Sequence, residues 1–189
     1  MKLSEAGRLY LQDYYILDEA RKDVDKFIGV ILEEIFSKLN EETDNFNDDI
    51  FNWYLWMSRS SPGYFSVNSQ YKKEGGLFRK SKDDIYITYR DVRRCNDLKT
   101  TDSVKIEINS GSIFKRNLKN FKENNALKLE EAIMEIGDKD TPLDFNKKVH
   151  YDLELKIDLN DSDNSIVQIT DLILEKWSAL DEFVRMLVR

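Results

Sequence analysis

The chain has 189 residues, one cysteine and an apolar fraction of 41%, which excludes an intrachain disulfide framework, a cysteine-rich metal site and an intrinsically disordered chain. It contains no apolar run of membrane-spanning length and no secretory signal at its start, so we expect a cytoplasmic protein without membrane contact. Its net charge of -7 is segregated: residues 1–58 carry -7, residues 59–128 carry +8 and residues 129–189 carry -8. A cationic middle must find anions in its own flanks, a partner or a ligand.

The first predicted element is a long helix from about Ser4 to Leu39, with Ser4 as its N-cap. Its apolar residues recur at spacings of three, four and seven and therefore share one stripe. The stripe consists of Tyr10, Tyr14, Leu17, Val24, Ile28, Ile31 and Ile35. Gly7 and Gly29 weaken this pattern, so two shorter helices are the alternative. Residues 1–40 could thus form a semi-independent helical segment.

Five segments have the composition of strands. Residues 50–57 are dense in aromatic side chains, which favours a strand over a short helix. Residues 64–71 follow a Pro-Gly turn, and apolar residues alternate with polar ones at 85–90 and 104–108. The longest alternation runs over 149–159. Such patterns are typical of an antiparallel sheet with one wet face.

Two further helical segments follow from the sequence. The first is expected over Ser112–Gly137, with Gly137 in the C′ position and Asn124-Asn125 as a candidate break. Ser165 and Gln168 indicate a capping box for the last helix. The predicted fold class is α+β, as a single domain over residues 1–189. We expect an antiparallel sheet of about four or five strands, with N-terminal, middle and C-terminal helices packed mainly on one face.

The basic middle of the chain is a candidate binding segment. Its positive charges lie beside aromatic residues, a combination that single-stranded nucleic acid binders use. The candidate residues for binding a polyanion or a partner are Arg79, Lys80, Lys82, Tyr86, Arg90, Arg93, Arg94, Lys115 and Arg116. The competing interpretation is that these cations pair with acidic residues of the same molecule. Nucleic acid or polyanion binding through segment 79–122 is therefore an alternative function.

A lesser alternative is a metal-dependent phosphodiesterase or nuclease. Its candidate residues are Asp144, His150, Asp152, Glu154 and Lys156. The possible ligands His150, Asp152 and Glu154 recur at every second position. Glu154 and Lys156 also match the acid-x-lysine end of a common nuclease pattern. Same-side residues of a strand stand about 6–7 Å apart, which disfavours convergence on one ion. We expect no cofactor, and a single histidine without a nucleophile elbow argues against a catalytic triad.

The leading hypothesis is a non-catalytic protein-interaction or regulatory module that binds a protein partner or its own copy. The expected contact surface is an open sheet face of mixed charge, which would orient the partner by charge complementarity. That face is expected to carry Tyr86, Thr88, Arg90, Lys105, Glu107, His150, Asp152, Glu154 and Lys156. The expected apolar anchors are Trp53, Tyr54, Trp56 and the surface of the last helix.

Overall fold

The fold combines helices with antiparallel strands, which confirms the α+β class. The computed structural model describes residues 3–48, 51–57, 64–71, 86–91, 103–110, 112–138, 140–147 and 149–188. The elements in chain order are α1 (Glu5–Glu42), a 3-10 turn (Thr43–Phe46), β1 (Phe51–Met57), β2 (Tyr64–Tyr71), β3 (Tyr86–Asp91), β4 (Ser103–Asn109), α2 (Ser112–Asn124), α3 (Ala126–Ile136), β5 (Tyr151–Lys156) and α4 (Ser162–Val188).

The strands pair in the order β1-β2-β3-β4-β5, each antiparallel to its neighbours. The register keeps the apolar residues of successive strands on one face of the sheet, as in the pairs Val67 with Ile87 and Ile106 with Leu153. The prediction of a strand at 50–57 is confirmed: Phe51 and Trp53 lie on this inner face and are buried, whereas Trp56 points outward.

Helices supply the other wall of the core. Their buried apolar residues join those of the inner sheet face in one cluster, and they are Ile28, Ile31, Leu32, Ile35, Leu39, Leu129, Ala132, Ile136, Ile166, Ile169, Ile173, Trp177, Leu180, Phe183 and Val184. Trp177 of α4 stacks on Phe46 at 4.3 Å between ring centroids and meets Trp53 edge-on at 5.7 Å. The aromatic rings therefore tie the 3-10 turn, β1 and α4 together.

Helix α1 forms without interruption, so the alternative of two shorter helices is wrong. Ser4 caps it as predicted, since its Oγ accepts a hydrogen bond from the Gly7 backbone N–H at 3.1 Å. A Cβ at Gly29 would meet nothing within 4 Å, so this glycine costs only its intrinsic helix propensity. The buried residues on either side of it, Ile28 and Ile31, hold the helix through that point.

The last helix begins three residues before the predicted capping box. Asp161 is the residue at its N-terminus that accepts a bond, from the Asn164 N–H to Oδ1 at 3.2 Å. Ser165 lies inside the first turn, and its Oγ accepts from the Asp158 N–H at 2.8 Å. The capping-box prediction is therefore wrong, because the Ser165 hydroxyl fastens the incoming loop instead of the helix end.

The middle helical segment breaks at Asn125, where the sequence offered a candidate break. The Asn125 N–H closes α2 by donating to the Phe121 carbonyl at 2.8 Å, and its own carbonyl opens α3 by accepting from Leu129 at 3.1 Å. The backbone of Asn125 is not helical, with φ of -142°. Because of this break, α3 can take a direction different from that of α2 and bury Leu129 and Ile136.

Gly137 ends α3 for a different reason than predicted. Its backbone is extended (φ -77°, ψ 176°), so it is not the left-handed C′ glycine that the sequence indicated. Glycine is needed there for space, because a Cβ would lie 2.8 Å from the Leu143 N and 2.9 Å from the Ile133 carbonyl oxygen. Both neighbours are backbone atoms and cannot rotate away.

We expect Gly137→Ala to lower the free energy of unfolding by about 1–3 kcal/mol, as overpacking against fixed atoms does. The matched control is Gly29→Ala, which adds the same methyl group in open space inside a helix and should stabilise by up to about 1 kcal/mol. Urea unfolding of both variants measures the difference. Equal effects of the two substitutions would contradict the role given to Gly137.

Candidate interaction surface

The first two thirds of α1 extend beyond the core. We call residues 3–27 the N-terminal arm; its helical part, residues 5–27, is about 34 Å long at 1.5 Å per residue. None of the arm side chains that the structure describes is buried, whereas Ile28, Ile31, Leu32, Ile35 and Leu39 of the same helix all lie in the core. The arm therefore leaves the body as a continuation of a core helix.

The arm is apolar although it is exposed. Its large hydrophobic residues with exposed surface are Leu3, Leu9, Tyr10, Leu11, Tyr14, Tyr15, Ile16, Leu17, Val24 and Phe27. Exposed apolar patches of this extent mark interaction surfaces on soluble proteins. The stripe that the sequence predicts runs through these residues, but the expected packing of the N-terminal helix on the body holds only from Ile28 onward. The predicted semi-independent segment 1–40 does not mark this boundary, because its residues Ile28, Ile35 and Leu39 lie in the core.

Part of the arm continues the buried stripe of α1. At 100° per residue, Tyr10, Tyr14 and Leu17 project in the same direction as Ile28 and Ile35, which are buried. We call Leu3, Tyr10, Tyr14, Leu17 and Val24 the arm stripe. The rings of Tyr10 and Tyr14 lie 5.8 Å apart, so adjacent turns of the stripe already contact each other. The same face that packs on the body thus remains open over the arm.

On β4 and β5, where the structure describes the side chains of the outer sheet face, charged groups pair with one another. Lys105 of β4 has its Nζ 2.5 Å from Asp152 Oδ2 and 3.8 Å from Glu107 Oε1. Glu154 accepts a hydrogen bond from the Ser103 hydroxyl at 2.5 Å. Glu107 is buried, contrary to the expectation of an open position. These local pairs reduce the field that this face offers to a charged partner.

The strand register gives the neighbours of Tyr86, Thr88 and Arg90 of β3 on the two adjacent strands. Tyr86 lies between Asn68 and Asn109, and Arg90 lies between Tyr64 and Lys105. Thr88 occupies the row between them, next to Glu107. These positions are on the outer face, as the alternation in the sequence predicts.

The predicted basic binding residues are not brought together by the part of the chain that the structure describes. Arg79, Lys80, Lys82, Arg93 and Arg94 lie outside the described residues. Lys115 and Arg116 fall in the first turns of α2, of which the backbone alone is described.

The proposed metal or nuclease residues separate in the structure. His150 is 1% exposed, so its placement on the wet face of the last strand was wrong. Its Nδ1–H points to the Asp144 carbonyl at 3.3 Å, and its Nε2 lies 2.5 Å from the Ser110 hydroxyl. The strand begins only at Tyr151, one residue later, which leaves His150 in the preceding loop under the ring of Phe145.

The carboxylates of that set also have structural partners. Asp144 accepts from the Asn146 N–H at 2.9 Å, an interaction that holds its pKa below the ordinary value. Asp152 and Glu154 are bonded to Lys105 and Ser103, while Lys156 lies exposed at the end of β5. A cleft of about 530 Å³ borders His150 and Asp152. Over the described residues no group of three or more His, Cys, Asp or Glu side chains could hold a metal ion.

Helix α4 contains a buried lysine that no pattern in the sequence indicates. Lys176 is 1% exposed, and its Nζ lies 2.8 Å from Asp138 Oδ1 and 3.4 Å from Glu175 Oε1. The Tyr151 hydroxyl donates to the other Asp138 oxygen. Burial raises the pKa of Asp138, but the bonds from Lys176 and Tyr151 outweigh it and leave that pKa below its ordinary value. Burial and the Asp138 carboxylate raise the pKa of the Tyr151 phenol.

A second polar cluster joins β1, the 3-10 turn and α4. Trp53 Nε1–H donates to Asp181 Oδ1 at 2.7 Å, and Arg185 Nε donates to Asp181 Oδ2 at 2.7 Å. The same guanidinium binds Asp48 and donates to the Phe46 carbonyl at 2.8 Å. Trp53 is thus a core residue and not an exposed anchor, whereas Trp56 keeps about half of its surface exposed.

No helix in the described ranges has both the length and the apolar character needed to cross a bilayer. Comparison of the chain with protein-family models, with curated proteins and with solved structures found no match. Fold, exposed surface and charge therefore supply the whole argument about function.

Proposed function

We infer that the protein is a non-catalytic interaction module that binds a helical protein segment through its N-terminal arm. The observation that carries this proposal is the arm stripe: the face that packs on the body from Ile28 onward stays exposed over residues 3–27. A helical partner fits because exposed side chains at three- and four-residue spacing form a ridge along the arm. Such a ridge packs into the groove between the side chains of another helix, which has the same spacing. The expected contact surface thus moves from the outer sheet face to the arm.

Two properties of the arm support this choice. Most of the stability of a protein helix comes from the packing of its amphipathic face and not from its intrinsic propensity, so a partner that covers the arm stripe would stabilise the arm. The exposed side chains are rich in tyrosine and leucine, and tyrosine is among the residues that dominate interface energetics. The outer sheet face offers less, since Lys105 already has its partners Asp152 and Glu107.

Polyanion binding through segment 79–122 remains the second candidate. It is favoured by the net charge of +8 over residues 59–128 and by exposed Lys119 and Lys122, which lie one turn apart on α2. The arm has the stronger support, because five exposed apolar side chains between Leu3 and Val24 share one face of its helix.

Site-specific photocrosslinking tests the proposal. A benzophenone amino acid replaces Tyr10, on the arm stripe, or Tyr15, which projects about 140° away around the helix. Both positions are tyrosines, and Tyr15 is the more accessible of the two, at 76% exposed against 59%. Random collision therefore favours adducts at Tyr15, whereas a partner on the stripe favours adducts at Tyr10.

In cells of the protein's source we expect a discrete polypeptide adduct from the Tyr10 position, at several times the yield from Tyr15. Its mass, read by mass spectrometry, identifies the partner as another protein or a further copy of the chain. No adduct at Tyr10, or yields that follow exposure alone, would contradict the proposal.

A further inference from the structure

We propose that the occupant of the arm stripe is the arm of a second copy of this chain, packed antiparallel to the first. This inference rests on the proposed function and names its partner. Three observations carry it: the heptad spacing of the stripe, the positions of its charges and the area that it exposes.

The arm stripe has the repeat of a coiled-coil seam. Leu3, Tyr10, Leu17 and Val24 recur every seven residues, and Gly7, Tyr14 and Arg21 recur at the interleaved positions. In heptad terms the first set occupies d and the second occupies a. The pattern continues into the body at Ile28 and Ile31, where it is buried. The stripe therefore begins in the core and continues along the exposed arm, where a second helix with the same heptad repeat can pack on it.

The charges of the arm reject a parallel pair. In a parallel dimer the g and e positions of the two helices face each other, which would set Asp13 against Asp18 of the second copy on both sides of the seam. The a position would bring Arg21 against Arg21 of the second copy. Like charges at these distances destabilise the pair. The ion pairs of Asp18 with Arg21 at 2.9 Å and with Lys22 at 2.7 Å in its own chain reduce this repulsion but do not remove it, because all three side chains are in contact with water.

An antiparallel pair removes these conflicts. In one antiparallel register, each a residue of the seam faces a d residue of the second copy and their two residue numbers sum to 31. Arg21 then lies against Tyr10 of the second copy, where a guanidinium can lie over an aromatic ring. Tyr14 then packs on Leu17 of the second copy. Beside the seam, an antiparallel pair sets g positions next to g positions and e positions next to e positions. Asp13 (g) therefore lies nearest Ala20 of the second copy and Asp18 (e) lies nearest Leu11, so neither meets a like charge.

This register also uses the full length of the arm. It sets Leu3 opposite Ile28 of the second copy, which is the first residue of α1 buried in the body. The large apolar residues of the whole arm expose on the order of 1,000 Å² per chain, and the arm stripe supplies about half of that area. A standard protein interface buries about 800 Å² per partner, so residues beside the seam, such as Leu11 and Phe27, must also be covered in the pair. Antiparallel pairing is closed and symmetric, so the assembly contains an even number of chains.

The first test is the mass of the full chain in solution. Sedimentation equilibrium of the wild type should give an even multiple of 22.4 kDa, a dimer or a tetramer. Leu17→Glu places a charge in the seam and should weaken association by about 100-fold or more. The matched control is Gln12→Glu, which adds the same side chain on the opposite, f-position face and should leave the mass unchanged.

Folding of the body is checked independently, because no described arm side chain belongs to the core. The tryptophan bands of the near-ultraviolet circular dichroism, to which the arm tyrosines do not contribute, should be the same in both variants and the wild type, because Trp53 and Trp177 are buried in the body. A monomeric or trimeric wild type, or equal effects of the two variants, would overturn the proposal. A monomer that still gives a heterologous adduct at Tyr10 would reject the second copy as occupant while leaving the proposed function intact.

The second test reads orientation. With Cys95 replaced by Ser, a spin label is attached to Glu5→Cys and the distance between labels of two copies is measured by electron spin resonance. Residue 5 lies opposite residue 26 in the antiparallel register, so the labels should be about 30 Å or more apart. Labels closer than about 20 Å would show a parallel pair and overturn the orientation, because neighbouring helix axes are about 8–10 Å apart.

Discussion

Asp138→Asn is expected to lower the free energy of unfolding by about 2–3 kcal/mol, since it leaves the ammonium of Lys176 buried without a full counter-charge. Lys176 is 1% exposed and bonds to Asp138 at 2.8 Å. The cost lies at the lower end for a broken buried pair because the Asp138 side chain is 39% exposed and Glu175 remains 3.4 Å from the ammonium.

Substitution of the lysine of this ion pair should destabilise the protein much less. Lys176→Met removes the buried charge and replaces it with an apolar chain of similar volume, while Asp138 keeps its contact with water and with the Tyr151 hydroxyl. We expect a change within about 1 kcal/mol. Urea unfolding at pH 7 measures both variants. A larger loss in Lys176→Met than in Asp138→Asn would contradict this account of the cluster.

The ion pair of Asp138 with Lys176 determines how the free energy of unfolding changes with pH. The pKa of Asp138 is lowered in the folded protein, so its ionised form stabilises the fold above its unfolded pKa. That contribution is lost as the pH falls through about 4 and below. The gap in stability between wild type and Asp138→Asn should therefore narrow on acidification, which urea unfolding at several pH values would show.

Asp181→Ala is expected to cost about 3 kcal/mol of unfolding free energy. The substitution leaves the indole N–H of Trp53 buried without its acceptor and removes one carboxylate from Arg185. Trp53 is buried at the junction of β1 and α4, so water cannot easily replace the lost oxygen. The loss loosens the contact between sheet and helix at that point.

Asp181→Asn is the matched control for this cluster. Its amide oxygen can still accept from Trp53, but its nitrogen donates and cannot accept from Arg185, so we expect about 1–2 kcal/mol. Urea unfolding distinguishes the two variants. Equal losses would mean that the charge next to Arg185, and not the bond to Trp53, accounts for the effect of Asp181.

The sequence predicted those parts of the fold in which local pattern and final environment agree. Aromatic density placed β1, the Pro-Gly turn placed β2, and alternation placed β3 and β4, all close to their observed bounds. Spacing of three and four found α1 and α4. Caps were less predictable. Ser4 caps α1, but Ser165 does not cap α4, because the loop at Asp158 competes for its hydroxyl.

The candidate site was only half visible in the sequence. The spacing of Tyr10, Tyr14 and Leu17 correctly predicts a helix face. No local pattern in the sequence, however, indicates the residue at which the body of the protein stops covering that face. His150 shows the opposite failure. Alternation placed it on the wet face, whereas the strand starts one residue later and the loop turns its ring toward Ser110 and Asp144.

The amino-acid sequence by itself determined the periodicities, and with them the helices, the antiparallel strands and the α+β class, because periods of 3.6 and 2 are properties of single elements. Only the tertiary structure decided that Lys176 is buried beside Asp138, that Asp181 joins Trp53 to Arg185, and that α1 is covered from Ile28 onward and exposed before it. Those outcomes depend on which residues distant in the chain reach the same place, and that is set by how the elements pack and where the packing ends.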